Sequence, residues 1–328
     1  MTAPEIRMMP ACAARQVLRR TLAMRGQSAA ELERQVNAFL EYARTLALDL
    51  GRQWACLVGE RIVAACNCLE SPGRTAMLFL GDGGLAEVDA AMVGRLVEHA
   101  VAAESKRDIC LLQCLLHPED ERSSGVLRRA GFREIATLRY LERRVASGLT
   151  PIDVGPPLTS NVKGPPAALR DCPLEWRTYE DARREQFAGL ILATYQDSLD
   201  CPALTGLRRI DDIVAGHQAV GLFNPEHWLL LECDGQAAGC VLLVESALRG
   251  TLELTYMGVH PAWRRRGVGA LLLSRALRLA RCEEFDSVTL AVDAANVPAL
   301  RLYDSFGFRE TTRRRAWLRP LASTSCGP

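Results

Sequence analysis

The sequence predicts an α/β fold present in two tandem copies, on three observations. Runs with the two-residue period of a half-buried strand lead straight into runs with helical apolar spacing, so strands and helices alternate. A proline-rich stretch from Thr150 to Pro166 divides the 328 residues near their middle, as a stiff linker would. Residues also recur across that divide at a nearly constant spacing: Gly59 and Gly235 lie 176 positions apart, as do Phe132 and Phe308. The expected organisation is a first copy over 1–147, a linker over 148–168 and a second copy over 169–328.

In the second copy, Phe187 to Tyr195 has helical apolar spacing, and the polar break Gln196 to Pro202 follows it. Thr251 to Val259 alternates as a strand, and Ala270 to Ala280 repeats apolar residues at helical spacing. Between them lies Val259-His-Pro-Ala-Trp-Arg264-Arg-Arg-Gly267-Val-Gly269. The glycines thus fall at the start of a helix, where the first N–H groups lack partners and the macrodipole is positive. Such a place binds a diphosphate. Gly267 and Gly269 let the backbone approach the phosphate oxygens. Arg264, with Arg265 and Arg266 beside it, would add charge-assisted hydrogen bonds. The Gly-Lys-Ser/Thr ending of a Walker loop and the three glycines of a dinucleotide fingerprint are both missing. Three arginines in a row also suit a solvated charge run, and two glycines a simple turn; the strand before and the helix after favour the phosphate site.

The order Arg264-x-x-Gly267-x-Gly269, with Val259-x-Pro261 before it, resembles the acyl-CoA loop of the GNAT superfamily of N-acetyltransferases. A second match follows, where Ser287 to Asp293 reads as a strand and runs into Asn296-Val-Pro298-Ala-Leu-Arg-Leu-Tyr303. Seven residues are nearly two helical turns, so Asn296 and Tyr303 share a face of a helix that begins near Asn296. Pro298 suits its first turn and Gly307 its end. The resemblance implies a mixed central sheet flanked by helices and acetyl-CoA as acyl donor. It gives Asn296 a contact with the cofactor, and it makes Tyr303 the proton donor to the departing sulfur. It also places cofactor contacts at Met257, Gly258, Val259, Val268 and Ala270, with free amides of the strand near Met257 to Val259 binding the acetyl carbonyl. Gly258 is the expected place for the bulge that frees them. Asn296 also fits an ordinary N-cap, and Tyr303 a core aromatic.

The two copies differ where the chemistry falls. Aligning Gly81 with Gly258 puts Glu87 opposite Arg264, Ala90 opposite Gly267 and Met92 opposite Gly269. At a spacing of 176, Leu127 stands opposite Tyr303 and Asp120 opposite Asn296. The first copy is expected to keep the scaffold without the cofactor site. Paired halves of this kind resemble the double GNAT architecture of mycothiol synthase-like proteins.

Composition sets further bounds. A 48% hydrophobic share can fill two cores, and 40 basic against 39 acidic residues give no global attraction to nucleic acid or membrane. No apolar run reaches bilayer length and the N-terminus lacks a secretory signal, so a cytoplasmic protein is expected. The 12 cysteines are scattered, as at Cys56, Cys110, Cys240 and Cys282, and are expected as buried reduced thiols. Cys66-x-Cys68 and Cys110-x-x-x-Cys114 lack a nearby His to complete a zinc spacing, so no metal is expected.

The resemblance implies as acceptor a primary amine of a small molecule or peptide; a protein N-terminus, or acyl-CoA binding without transfer, are the rival readings. A lysine-like amine is neutral about once in 2,500 molecules at pH 7 and an α-amino group roughly once in ten, so the first needs a base far more. Some GNAT proteins carry a Glu twelve residues before the Tyr, but here that residue is Ala291. Glu253 is the best replacement, because simple alternation puts it on one face with Thr255 and Met257. It also fits an exposed strand carboxylate. His260 sits inside the loop and His217 at a helix end, where a structural role is as good an account. Tyr195, Asp197 and Asp200 border the polar break, where two carboxylates would attract an ammonium group. Helix capping explains those aspartates equally. Oligomeric state is not legible.

Overall fold

The computed structural model describes residues 4–24, 26–81, 88–145, 169, 172–247 and 250–321. The linker expected over 148–168, and Glu87, lie outside the described residues. Contacts divide the chain into two compact units: Met1–Thr137 with Gly206–Arg209 and Arg314–Pro328, and Leu138–Thr205 with Ile210–Arg313.

The first unit holds β1 (Glu5–Met8), α1 (Ala14–Thr21), α2 (Ala29–Thr45), β2 (Gln53–Val58), β3 (Arg61–Ser71), β4 (Thr75–Leu80), α3 (Ala90–Glu104), β5 (Leu111–Leu116) and α4 (Glu121–Arg129), and it contains the start of β6 (Arg133–Arg144). The second holds the rest of β6, then β7 (Leu174–Thr178), α5 (Arg184–Thr194), α6 (Ile210–Gln218), β8 (Trp228–Cys233), β9 (Gln236–Glu245), β10 (Thr251–Val259), α7 (Val268–Cys282), β11 (Ser287–Asp293), α8 (Val297–Ser305) and the start of β12 (Arg309–Pro320). The repeat is literal: α4 and α8 have 9 residues each and β6 and β12 have 12 each, in both cases 176 positions apart. Gly59 and Gly235 both turn a hairpin with positive φ, 61° and 70°.

In each unit one parallel pair, β4 with β5 or β10 with β11, sits among antiparallel neighbours, which gives the mixed sheet. The last strands are traded. Leu138–Arg144 of β6 pairs with β11 inside the second unit, and Arg315–Pro320 of β12 pairs with β5 inside the first.

In the second unit, alternate residues of β9 feed two cores. Val241 and Leu243 pack with Leu272, Leu273 and Ala276 of α7, whereas Cys240 and Leu242 pack with Phe187 and Ile191 of α5 and Ile213 of α6. Helices therefore cover both faces of this sheet. Among the described residues ten cysteines are free thiols, with Cys12 and Cys282 exposed. The expectation of buried reduced thiols is thus corrected at Cys282, which is at the surface, and at Cys110, which is disulfide-bonded.

Candidate active site

The glycine loop folds as its residue types require. β10 ends at Val259, and His260 Nδ1 accepts the Ala262 N–H at 3.3 Å, capping a 3-10 turn over Pro261–Trp263. Arg265 takes a left-handed φ of 61° and Gly267 one of 90°; the second is natural only for glycine. Gly267 is the N-cap of α7 and has no side chain to offer its amides, so the first-turn N–H groups lack both an intrahelical partner and a side-chain cap. The counterpart helix of the first unit is closed: the Asp89 carboxylate caps α3 by accepting the Ala91 N–H at 3.3 Å. That carboxylate would oppose an anion.

The three arginines divide their work. Arg264 donates to the carbonyls of Val259 at 3.2 Å, Thr194 at 3.0 Å and Gln196 at 2.6 Å. Its guanidinium ties the end of β10 to the C-terminus of α5. Arg266 lies over the Trp263 ring at 5.2 Å. Arg265 lines the cleft.

That cleft has a volume of about 450 Å³. It exists because β10 and β11 pair only from Thr251–Ser287 to Leu254–Leu290 and then part. Beyond Leu254 the β11-facing edge of β10 has no strand partner among the described residues, which leaves main-chain groups of Thr255 to Val259 available to a ligand. Gly269 of α7, Asn296 and Tyr303 line the same cleft, as do Met257, Gly258 and Val259. Val268 is 1% exposed and in the core, and Ala270 packs against it, so those two can offer only their amides. Among the described residues there is no group of three metal-ligating side chains.

The irregularity in β10 is not at Gly258, where it was expected. The register against β9 shifts between Leu254 and Tyr256, leaving Thr255 as the extra residue. Gly258 serves a different purpose: a Cβ there would lie 2.7 Å from Thr194 Oγ1, so the glycine lets α5 approach the strand. The shift also breaks the alternation from which Glu253 was placed. Met257 packs into the core beneath α7, whereas Tyr256 packs on the opposite face with α5 and α6. Glu253 opposes Val244, which has the parity of Leu242 and Cys240, so it shares a face with Tyr256 and not with Met257. Glu253 is half-buried, and burial pushes its carboxyl pKa up.

On α8, Asn296 Oδ1 accepts the Ala299 N–H at 3.3 Å, so the residue both caps the helix and lines the cleft. Tyr303 is 6% exposed, with its ring edge-on to Phe308 at 5.7 Å. Burial first, and the Asp200 carboxylate second, push its phenol well above the usual range, so it holds its proton. The hydroxyl makes no hydrogen bond among the described residues.

Of the three residues at the polar break, Asp197 and Asp200 line the cleft and Tyr195 lies behind it, edge-on to Tyr256 at 6.0 Å. Asp197 has a left-handed φ of 52°. Asp200 Oδ1 accepts the Asp293 N–H at 3.0 Å, and Asp293 Oδ2 accepts the Cys201 N–H at 3.2 Å. Three residues that shape this region escape sequence reasoning: Thr194, Tyr256 and Asp293. Thr194 donates its one hydroxyl proton to Ile191 O at 2.7 Å, so Tyr256 must donate to Thr194 Oγ1 at 2.5 Å. The Tyr256 ring is wedged by Tyr195 and by His217, whose ring lies 5.3 Å away. Only the strand position of Tyr256, two residues before Gly258, hinted at this.

Residues 179–308 match the acetyltransferase (GNAT) family. The chain is 32% identical over 193 residues to a mycothiol acetyltransferase of Kineococcus radiotolerans, covering 58% of this chain and 56% of that one. It therefore spans little more than half the length of that relative. It is 28% identical over 243 residues to a mycothiol acetyltransferase of Acidimicrobium ferrooxidans, covering 71% of each. A GCN5-related N-acetyltransferase from Sphaerobacter thermophilus shares the fold at a TM-score of 0.59 and 16% identity, over 98% of both chains. A tandem GNAT protein from the clavulanic acid biosynthesis pathway does so at 0.54 and 17%, over 98% of this chain and 100% of the other. Residues 179–308 thus carry a domain of the acetyltransferase (GNAT) family. Within that family, the sequence relatives just given are mycothiol acetyltransferases.

Proposed function

We propose that the second unit transfers an acetyl group from acetyl-CoA to the primary amine of a small molecule or peptide in the cytoplasm, with an amine of the mycothiol type as the first candidate acceptor. One observation carries this reading: the uncapped N-terminus of α7 and the protonated Tyr303 phenol open into one cleft. A diphosphate at the first suits acyl-CoA, and an acid at the second suits a leaving thiolate.

The acetyl-CoA diphosphate lies against the amides of Gly267, Val268, Gly269 and Ala270, with Arg265 as the neighbouring cation. The freed main-chain edge near Met257 to Val259 holds the acetyl carbonyl and stabilises the oxyanion as the amine attacks. The carbon–sulfur bond then breaks, and Tyr303 gives its proton to the sulfur. Glu253, raised in pKa by burial and set in the paired stretch just before the strands part rather than on the cleft wall, is the base we assign to the proton that the amine loses. Glu253 and Tyr303 belong to opposite faces of the sheet. The gap between β10 and β11 thus lets the acceptor arrive on one side while the thiol departs on the other. Tyr195, Asp197 and Asp200 border the acceptor side, and of the two carboxylates Asp197 is the one without a hydrogen bond among the described residues.

Free-thiol release from acetyl-CoA across a panel of amines tests the proposal. Acceptor-dependent thiol supports it. Saturable acetyl-CoA binding with no acceptor-dependent thiol from any amine, peptide N-termini included, would reduce the protein to an acyl-CoA binder.

A further inference from the structure

The segment Gln196–Cys201 is fastened at two places. At one, Arg264 bonds the Thr194 and Gln196 carbonyls and also the Val259 carbonyl of β10. At the other, the Asp293 N–H donates to Asp200 Oδ1 and the Cys201 N–H donates to Asp293 Oδ2, across 93 and 92 positions of sequence, with the Asn296 side chain beside the Asp200 carboxylate. Asp293 is itself 4% exposed and accepts the Ala295 N–H through its other oxygen at 2.9 Å. The two fastenings fall on the two strands whose parting makes the cleft: Val259 ends β10 and Asp293 ends β11.

We propose that Asp200 is a positioning residue of this cleft: by accepting the Asp293 amide, its carboxylate fixes Gln196–Cys201 as a strap between the ends of β10 and β11. In doing so it sets the N-terminus of α8 that carries Tyr303. Asp200 does not touch the reacting atoms in this scheme. It acts through the Asp293 amide, three residues before the N-cap Asn296 of α8, and through its charge, which faces Tyr303 from the loop and disfavours loss of the phenolic proton. Asp293 on β11, Cys201 on its own loop and Tyr256 on β10 surround Asp200, and the same cleft is lined by Asp197 and by two cations, Arg265 and Arg264, the latter bonded to three carbonyls. Asp200 is open to water within the cleft, and protein walls around it still raise its own pKa, through desolvation first.

The inference gives the proposed acid at Tyr303 its orientation, yet its test needs no acceptor and no turnover. In full-length Asp200→Ala, hydrogen exchange of the Asp293 amide should quicken by about tenfold or more, and the acetyl-CoA Kd by calorimetry should rise about tenfold. Asp200→Asn keeps one oxygen for the Asp293 amide but turns an N–H₂ toward Asn296, so it should fall between Ala and wild type in both readouts. A purely structural Asp200 would not move the phenol at 303. With 2,3,5-trifluorotyrosine placed there, whose ionisation falls where the protein stays folded, the ¹⁹F titration midpoint should shift to lower pH in both variants. It should stay fixed in Asp304→Asn, an exposed carboxylate of the same helix. Unchanged exchange and affinity in folded Asp200→Asn and Asp200→Ala overturn the strap, and an unmoved midpoint overturns the electrostatic part. If those hold while thiol release from every amine fails, the proposed transfer falls and the positioning role stands.

Discussion

Replacing Gly258 by alanine tests the contact that seats α5 against the cleft. The added Cβ meets Thr194 Oγ1 at 2.7 Å and Thr194 Cβ and Cγ2 at 2.9 Å each, all too close for real contacts. Thr194 cannot turn aside freely, because its hydroxyl is bonded to Ile191 O and to the Tyr256 hydroxyl. Either α5 retreats or both bonds break. Overpacking of this kind costs about 1–3 kcal/mol. Gly258 does not have a positive φ, so alanine there also gains roughly 0.4–1 kcal/mol from the unfolded chain. The net effect runs from about zero to a loss of about 2.6 kcal/mol, which lowers the melting midpoint by up to about 10 °C for a unit of this size. Urea titration followed by tryptophan fluorescence suits the measurement, since Trp228 packs with Phe187 of α5 in the same core. The decisive comparison uses Thr194→Gly, which removes all three clashing atoms. In that background, Gly258→Ala should cost less than about 0.5 kcal/mol, giving a coupling of the size expected for residues in contact. Equal costs in both backgrounds would refute the contact.

Tyr303→Phe should reduce turnover by about 10²–10⁴-fold while leaving acetyl-CoA affinity near wild type, since the ring stays packed and no protein partner of the hydroxyl is orphaned; an unchanged rate removes its role as acid. Thiol assays need a blank for the exposed Cys12 and Cys282. Gly267→Val should abolish acetyl-CoA binding in calorimetry, because a β-branched residue at φ 90° is strained and obstructs the amides; normal affinity would mean the diphosphate lies elsewhere. Glu253→Gln should lower turnover by roughly 10²-fold or more and stabilise the fold at neutral pH. The sign follows from burial: a glutamate whose folded pKa is raised loses stability as pH rises from its unfolded pKa through its folded one, and Gln removes that loss. The stabilisation should therefore fade as pH falls below the ordinary glutamate range; a gain that persists in acid contradicts it. Met92→Gly should leave acetyl-CoA stoichiometry at one per chain, and a second equivalent would overturn the account of the first copy.

What the sequence made legible was local. Gly267, Asn296, Pro298, Gly307 and Tyr303 stand where cap chemistry and helical spacing put them, because the signals span fewer than ten residues. The repeat was legible because a fixed spacing needs no knowledge of pairing. What escaped depends on distant partners. The shift at Thr255 is set by pairing with β9, and it moved Glu253 to another face than alternation gives. Arg264 reaches carbonyls of Thr194 and Gln196, and Asp200 meets Asp293, across stretches that no local pattern records. Gly258 reads as a bulge glycine until α5 is placed beside it.

The traded ends of β6 and β12 bear on why the chain keeps both copies. Severed within the proline-rich stretch, the C-terminal piece would lose the neighbour that covers one side of β11, and the N-terminal piece would lose the cover of β5. Each would then present a bare row of amides and carbonyls, an invitation to stick to other chains. A duplicate could shed every catalytic group and still not be deleted, since its sibling borrows a strand from it.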